Sequence, residues 1–222
     1  MRCVCVRCQG ARHPPGAGSQ VVRAPTGTEC APVWRALKPL MLKPSDNPPI
    51  MPPWAASITD CQGQWWVGQT KSRNEKAAAW DLLARRIGYF LPMVEKVTLS
   101  GGRKRQVLMP LFPSYIFVCG DADSRYSAMT TDRFSKTLAV VDQDGLRGEL
   151  MSIEKALKGQ ATLDPFPFAA QGRRCRVAQG PFEGLEGVVV QRRQLARLVL
   201  QVGILGQGAA IEIDASLLEP LD

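Results

Sequence analysis

The sequence predicts an α+β domain, an antiparallel sheet with flanking helices, followed by a small all-β barrel and preceded by a disordered Pro/Cys-rich extension. Three observations carry this. Residues 1–61 hold ten of the chain's 17 prolines and show no sustained apolar period. Residues 62–161 switch between β-prone runs and helical spacing. After residue 171, β-prone runs recur between glycine turns.

In the extension, Met41 and Met51 are alternative start codons on this reading, because nothing upstream of Met51 resembles a folding unit. The first strand is the aromatic run at residues 64–70. Ser72 and Glu75 stand at capping-box spacing, so a helix is expected next, burying Ala77, Trp80, Leu83, Ala84 and Ile87 on one face and stopping at Gly88. Residues 89–94 read as a strand that Pro92 confines to an edge or an end. Residues 95–99 and 105–109 flank a Gly-containing hairpin tip, and residues 111–119 form another apolar strand. A helix near residues 123–131, a strand at 137–142 and a helix at 147–158 complete the domain. Residues 162–170, with two prolines, are expected to be a linker that lets the domains tumble separately. Residues 171–222 are expected to form strands at 173–178, 185–191, 195–203 and 209–213. Val188–Val190 and Val199, with Gly203, Gly206 and Gly208, make helical storage of this region unfavourable.

Composition excludes several functions. The only histidine, His13, lies in an aperiodic stretch, which leaves nothing to build imidazole-based catalysis. There is no phosphate-binding glycine loop and no nucleophile–base pair, so no enzyme is expected and no cofactor. Cys3, Cys5 and Cys8 lack the spacing of a zinc unit, and no metal is expected. No run approaches a membrane span, and an odd seven cysteines suit reduced thiols, so the reading is cytoplasmic. The charge of +8 favours a polyanionic partner. Outside the extension the surplus lies on residues 62–170, with 15 basic against 11 acidic side chains, whereas residues 171–222 balance at six and six.

Two segments carry a resemblance. Trp65-Trp66-Val67, Thr70-Lys71-Ser72-Arg73, Phe90-Leu91-Pro92-Met93 and the run from Pro110 through Phe112-Pro113-Ser114-Tyr115 to Phe117-Val118 resemble the amino-terminal (NGN) domain of the NusG/RfaH family of transcription elongation and antitermination factors. The run Arg176-Val177-Ala178-Gln179-Gly180-Pro181-Phe182-Glu183-Gly184-Leu185-Glu186-Gly187 is similar to the KOW motif that follows it, which implies an SH3-like barrel. The resemblance implies a noncatalytic factor that binds the β′ clamp helices of RNA polymerase and promotes processive elongation. Phe112, Pro113, Tyr115 and Phe117 would form an exposed aromatic pocket for a helix tip. Strand period places Tyr115 and Phe117 on one face and Phe112 on the other unless Pro113 bends the chain, and core packing is the competing reading for these rings.

By the same resemblance Lys71, Arg73 and Arg85 would meet non-template DNA, and Arg103, Lys104 and Arg105 are further candidates, since phosphate contact needs only charge and reach. A contact to the β-subunit gate loop would fall on Tyr126-Ser127-Ala128, where the family's His-Thr-Thr is replaced. Ile204-Leu205-Gly206-Gln207 departs from the family's Ile-Phe-Gly-Arg, which weakens a ribosomal protein or Rho as barrel partner. Leu91-Pro92-Met93 and Pro113-Ser114-Tyr115 look closer to operon-dedicated paralogues, expected to be monomers. The competing reading is a ribosome- or RNA-binding KOW protein without a polymerase role.

Overall fold

Strand β1 (Gln64–Thr70) is buried on both faces, as its Trp, Val and Thr content suits a central strand. In the computed structural model, which describes residues 47–166, 172–192 and 195–221, β1 is flanked by β5 (Tyr115–Gly120) and β6 (Phe134–Ala139), with β2 (Gly88–Phe90) at the edge. All pairs are antiparallel, and Val67 lies between Phe117 and Leu138. A Cβ at Gly68 would sit 2.4 Å from the Phe134 ring, so only glycine lets that ring cover the strand. β3 (Met93–Ser100) and β4 (Arg103–Pro110) form a separate two-stranded ribbon, because Pro92 breaks the run expected at residues 89–94.

One face of the four-stranded sheet packs Ile116, Val118, Tyr89 and Phe134 against helix α1 (Glu75–Ala84) and Ala128 of α2 (Ala122–Met129). The helix α1 starts later than expected. Arg73 takes a left-handed φ of 59°, Asn74 is the N-cap, and Ser72 forms no capping box. The buried face falls on Ala78, Ala79 and Leu82 in place of the expected stripe, leaving Trp80 exposed. The small alanines let the helix lie close to the sheet, which the bulkier Trp80 would prevent.

The other face buries Trp65, Val67, Phe90, Phe117 and Cys119 under helix α3 (Gln143–Lys158). Asp142 caps α3 by accepting the Gly145 N–H at 2.8 Å, so the helix begins at Gln143, four residues before the expected start at residue 147. Leu146, Leu150, Ile153 and Ala156 make its inward stripe. Gln143 at its first turn brackets Trp65, accepting the Trp65 N–H at 2.8 Å and donating to the Trp65 carbonyl at 3.0 Å.

Residues 47–61, expected to be disordered, form a strap: Ala55, Ile58 and Cys61 are buried on the α3 face, and residues 47–50 reach round to the α1 side. The Tyr89 hydroxyl donates to the Pro49 carbonyl (3.0 Å), and Leu91 N–H to the Ile50 carbonyl (2.8 Å). Proline-rich chain without period can still bury apolar groups when its carbonyls find donors. Residues 1–46 of the expected extension lie outside the described residues.

The carboxy-terminal part is a six-stranded antiparallel sheet of β8 (Arg173–Val177), β9 (Glu186–Arg192), β10 (Leu195–Val202), β11 (Gln207–Ile213), β12 (Leu218–Pro220) and β7 (Asp164–Phe166), in the order β12-β8-β9-β10-β11-β7. Strand β7 lies within the expected linker and pairs with β11, Ala209 facing Pro165. The domains do not stand apart as that linker suggested. Helix α3 packs on β10, Glu149 Oε1 accepts the Gly203 N–H at 3.0 Å, the Lys155 ammonium donates to the Glu183 carbonyl, and one apolar cluster runs from Leu150 and Ile153 to Leu185 and Leu198.

Burial beside the second sheet pushes the Glu149 carboxyl above its usual range, a rise that the Gly203 N–H only partly offsets. The packed state therefore binds a proton that the separated state releases, and domain contact weakens as pH rises from the ordinary carboxylate value through the raised one. Small-angle scattering is expected to show a larger radius of gyration above that window than below it. In Glu149→Gln, which keeps an acceptor for Gly203 without the charge, this pH dependence is expected to vanish.

Candidate functional site: an aromatic turn and a basic hairpin

The segment between β4 and β5 is a tight turn, not the continuous strand expected at residues 111–119. Pro113 bends the chain and Ser114 adopts φ 66°. This unusual backbone is held by Glu75, a buried carboxylate at the start of α1, whose Oε1 accepts the Ser114 N–H at 2.6 Å. Thr70 N–H then donates to the Ser114 carbonyl (2.9 Å) and Tyr115 N–H to the Phe112 carbonyl (3.2 Å).

The bend decides where the rings go. Phe112 reaches the Phe117 face after all, edge-on at 6.0 Å between centroids, with Phe90 stacked at a tilt 6.2 Å from Phe117. Phe112 is 2% exposed and Phe117 wholly buried, so neither forms an exposed pocket; core packing claimed both. Pro113 stands in solvent and Tyr115 is half-buried against the core below. Of the four expected contact residues, these two are accessible.

Next to this turn projects the β3–β4 ribbon. Gly101 (φ 58°) and Gly102 (φ 75°) make its two-residue tip, the left-handed pair that matches strand twist. Its base is tied to α1: Lys76 Nζ donates to the Leu108 carbonyl and to Asn47 Oδ1, each at 2.6 Å, and burial pulls its pKa down. Cross-strand partners share a face. Thr98 opposite Arg105, Ser100 opposite Arg103 and Lys96 opposite Val107 give one basic face; Val97 opposite Gln106, Leu99 opposite Lys104 and Glu95 opposite Leu108 give the other, with Val97 and Leu99 strongly exposed. Sequence reasoning found Arg103, Lys104 and Arg105 as a run but missed Lys96, whose two-residue alternation with Thr98 and Ser100 was the available signal. Lys104 lies on the face opposite to Arg103 and Arg105.

The other basic candidates are not gathered with these. Lys71 pairs with Asp132 at 2.6 Å, and Arg73 is exposed in its left-handed turn. Arg85 donates through Nη1 to the Ser127 carbonyl (2.6 Å) and Thr130 Oγ1 (2.6 Å), tying the end of α1 to α2. Of Tyr126-Ser127-Ala128, only Tyr126 stands out into solvent, since Ser127 engages Arg85 and Ala128 is buried.

In the second sheet Gly180 (φ 96°) and Gly184 (φ 78°) close the loop from β8 to β9, where Glu183 N–H donates to the Gly180 carbonyl and Gly184 N–H to the Val177 carbonyl. Gly187 leaves no room for a Cβ, which would lie 2.7 Å from the Val199 carbonyl oxygen. Pro181 is exposed, and the Phe182 ring lies over Gly159 at the end of α3. Among the described residues no three His, Cys, Asp or Glu side chains could hold a metal, and no helix is long and apolar enough to cross a membrane. Cys3, Cys5, Cys8, His13 and Cys30 lie outside the described residues.

Residues 63–156 match the family model described as "Transcription termination factor nusG". The chain carries a NusG-family domain. This matched segment spans everything from the start of β1 into α3, including the aromatic turn and the ribbon. Among solved structures, one described as "Domain interaction in Thermotoga maritima NusG" is 17% identical, covering 72% of this chain and 98% of that one with a TM-score of 0.39, too loose a likeness to bear on the site. No curated protein matches the chain.

Proposed function

We propose that this NusG-family protein acts as a noncatalytic, operon-dedicated transcription elongation or antitermination factor that binds RNA polymerase. Its family-matched domain offers Tyr115 and Pro113 to the clamp helices of the β′ subunit, and the buried Phe112 and Phe117 hold that turn rigid from beneath. The observation that supports this most is the Glu75-braced turn inside the family-matched segment, which fixes an accessible aromatic without a flexible loop. Exposed Tyr126 is the remaining candidate for a gate-loop contact. The ribbon's basic face, Lys96, Arg103 and Arg105, is suited to non-template DNA phosphates, since phosphate contact needs only charge and reach. The setting is the cytoplasm, the protein is a monomer, and no cofactor is required. The sheet bearing the KOW-like loop is the surface for a further factor, a ribosomal protein or Rho being the family's usual partners.

Binding to purified RNA polymerase tests the reading. Tyr115→Ala is expected to weaken affinity by about 2 kcal/mol, roughly 30-fold, while the circular dichroism spectrum stays unchanged. Equal affinity of the variant and the unaltered protein, or binding to ribosomal subunits in place of polymerase, would overturn it.

A further inference from the structure

We propose that Cys61 and Cys119 are a modification site: a thiol pair that a neutral peroxide converts to a disulfide, fastening the strap of residues 47–61 to strand β5. The two residues are distant in sequence but meet in space. Cys61 ends the strap's 3-10 turn (Ile58–Asp60), and Cys119 lies on β5 opposite Gly88 and Trp65. Both side chains belong to the cluster under α3, at 8% and 2% exposure, and Cys119 Sγ lies 3.3 Å from the carbonyl of Gln62, the residue next to Cys61. Both also line one cavity of about 510 Å³, together with Asp60, Arg86, Asp121 and Ser124. The pair is thus sheltered from bulk solvent yet reached from a mouth wide enough for a small oxidant.

The two thiols are not equivalent. The Cys119 thiol donates to the Gln62 carbonyl at 3.3 Å. Hydrogen bonding by the neighbouring Cys119 thiol pulls the Cys61 thiol down, whereas the same neighbour and burial push Cys119 up. Cys61 is also the more exposed of the two, which makes it the attacking thiolate and Cys119 the resolving thiol. With Cys61 only 8% and Cys119 only 2% exposed, a bulky disulfide such as glutathione disulfide has no room to reach the sulfurs, which leaves a small uncharged hydroperoxide as the matching reagent.

The chemistry balances in two steps. The Cys61 thiolate attacks one peroxide oxygen, the O–O bond breaks, and Cys61 becomes a sulfenic acid as hydroxide leaves and is protonated to water. Cys119 Sγ then attacks the Cys61 sulfur, the S–O bond breaks, and the departing hydroxide takes the Cys119 proton as a second water. Two thiols lose two electrons to one peroxide. The new bond closes the loop from residue 61 to residue 119 and restricts the unfolded chain.

The test uses the reduced full-length protein and hydrogen peroxide. After maleimide blocking and digestion without reductant, mass mapping is expected to find the Cys61 peptide joined to the Cys119 peptide. The thermal midpoint is expected to rise by on the order of 10 °C and to return on reduction. Recovery of Cys61 and Cys119 as free thiols or sulfinic acids, or joined instead to Cys175 or the cysteines before residue 31, overturns the proposal. In Cys119→Ser, Cys61 is expected to be trapped by dimedone with no rise in midpoint. A rise of the same size in that variant would also overturn it.

Discussion

Phe117→Ala is expected to lower the unfolding free energy by about 4 kcal/mol, measured by urea denaturation, the largest single loss at the aromatic turn. Phe117 is wholly buried, meets Phe112 edge-on and Phe90 at a tilt, and sits at the centre of β5 opposite Val67. Truncation removes a ring from between two others that are fixed on separate elements, β2 and the Pro113 turn, so collapse into the void is limited. Tyr115→Ala should cost well under half of this, because that ring is only half-buried. The two substitutions therefore separate what the strand does for the fold from what it does for a partner. If Tyr115→Ala proves as destabilising as Phe117→Ala, any loss of polymerase affinity would report unfolding, and the contact role would lose its support.

The second sheet shows what a sequence reveals, and the first what it hides. Val188–Val190 and Val199 lie in regular ladders where β-branched side chains pack well, and β8 to β11 fall within two residues of their expected bounds. Such elements are legible because period and turn glycines act locally. Elements set by distant partners are not. The α1 face depended on Arg73 adopting a left-handed backbone and on Glu75 leaving its own helix end for Ser114. Phe112 could be placed only once the Pro113–Ser114 bend was known, and β7 only once β11 offered it a free edge. At the site, the type of residue was legible from the resemblance and the basic tip from charge, but exposure was not. Internal pairing of Lys71 and Arg85 follows from partners far along the chain, Asp132 and Thr130, and burial of Phe112 from the bend that turns it onto Phe117.

The strap is the clearest case of such distant control, and Glu154 is its anchor. On α3 the spacing of Leu150, Ile153 and Leu157 would leave a glutamate at 154 beside the apolar stripe, where strap residues cover it. Its Oε2 accepts the Ile58 N–H and the Ser57 hydroxyl, each at 3.1 Å, and its Oε1 pairs with Lys158 at 2.6 Å. Lys158 in turn donates to the Ala56 carbonyl at 2.9 Å. Glu154→Ala leaves the buried Ile58 N–H without an acceptor and frees Lys158 from its counter-charge, so a loss of about 3 kcal/mol is expected. Glu154→Gln keeps the size and an oxygen for Ile58 but forfeits the ion pair; since Lys158 is largely exposed, about 1 kcal/mol is expected there. The readout that isolates the strap is protease cleavage between residues 50 and 60, which should accelerate far more in Glu154→Ala than in Glu154→Gln. Equal protection in both variants would mean that Ala55 and Ile58 hold the strap by apolar burial alone, and that the carboxylate is incidental to it.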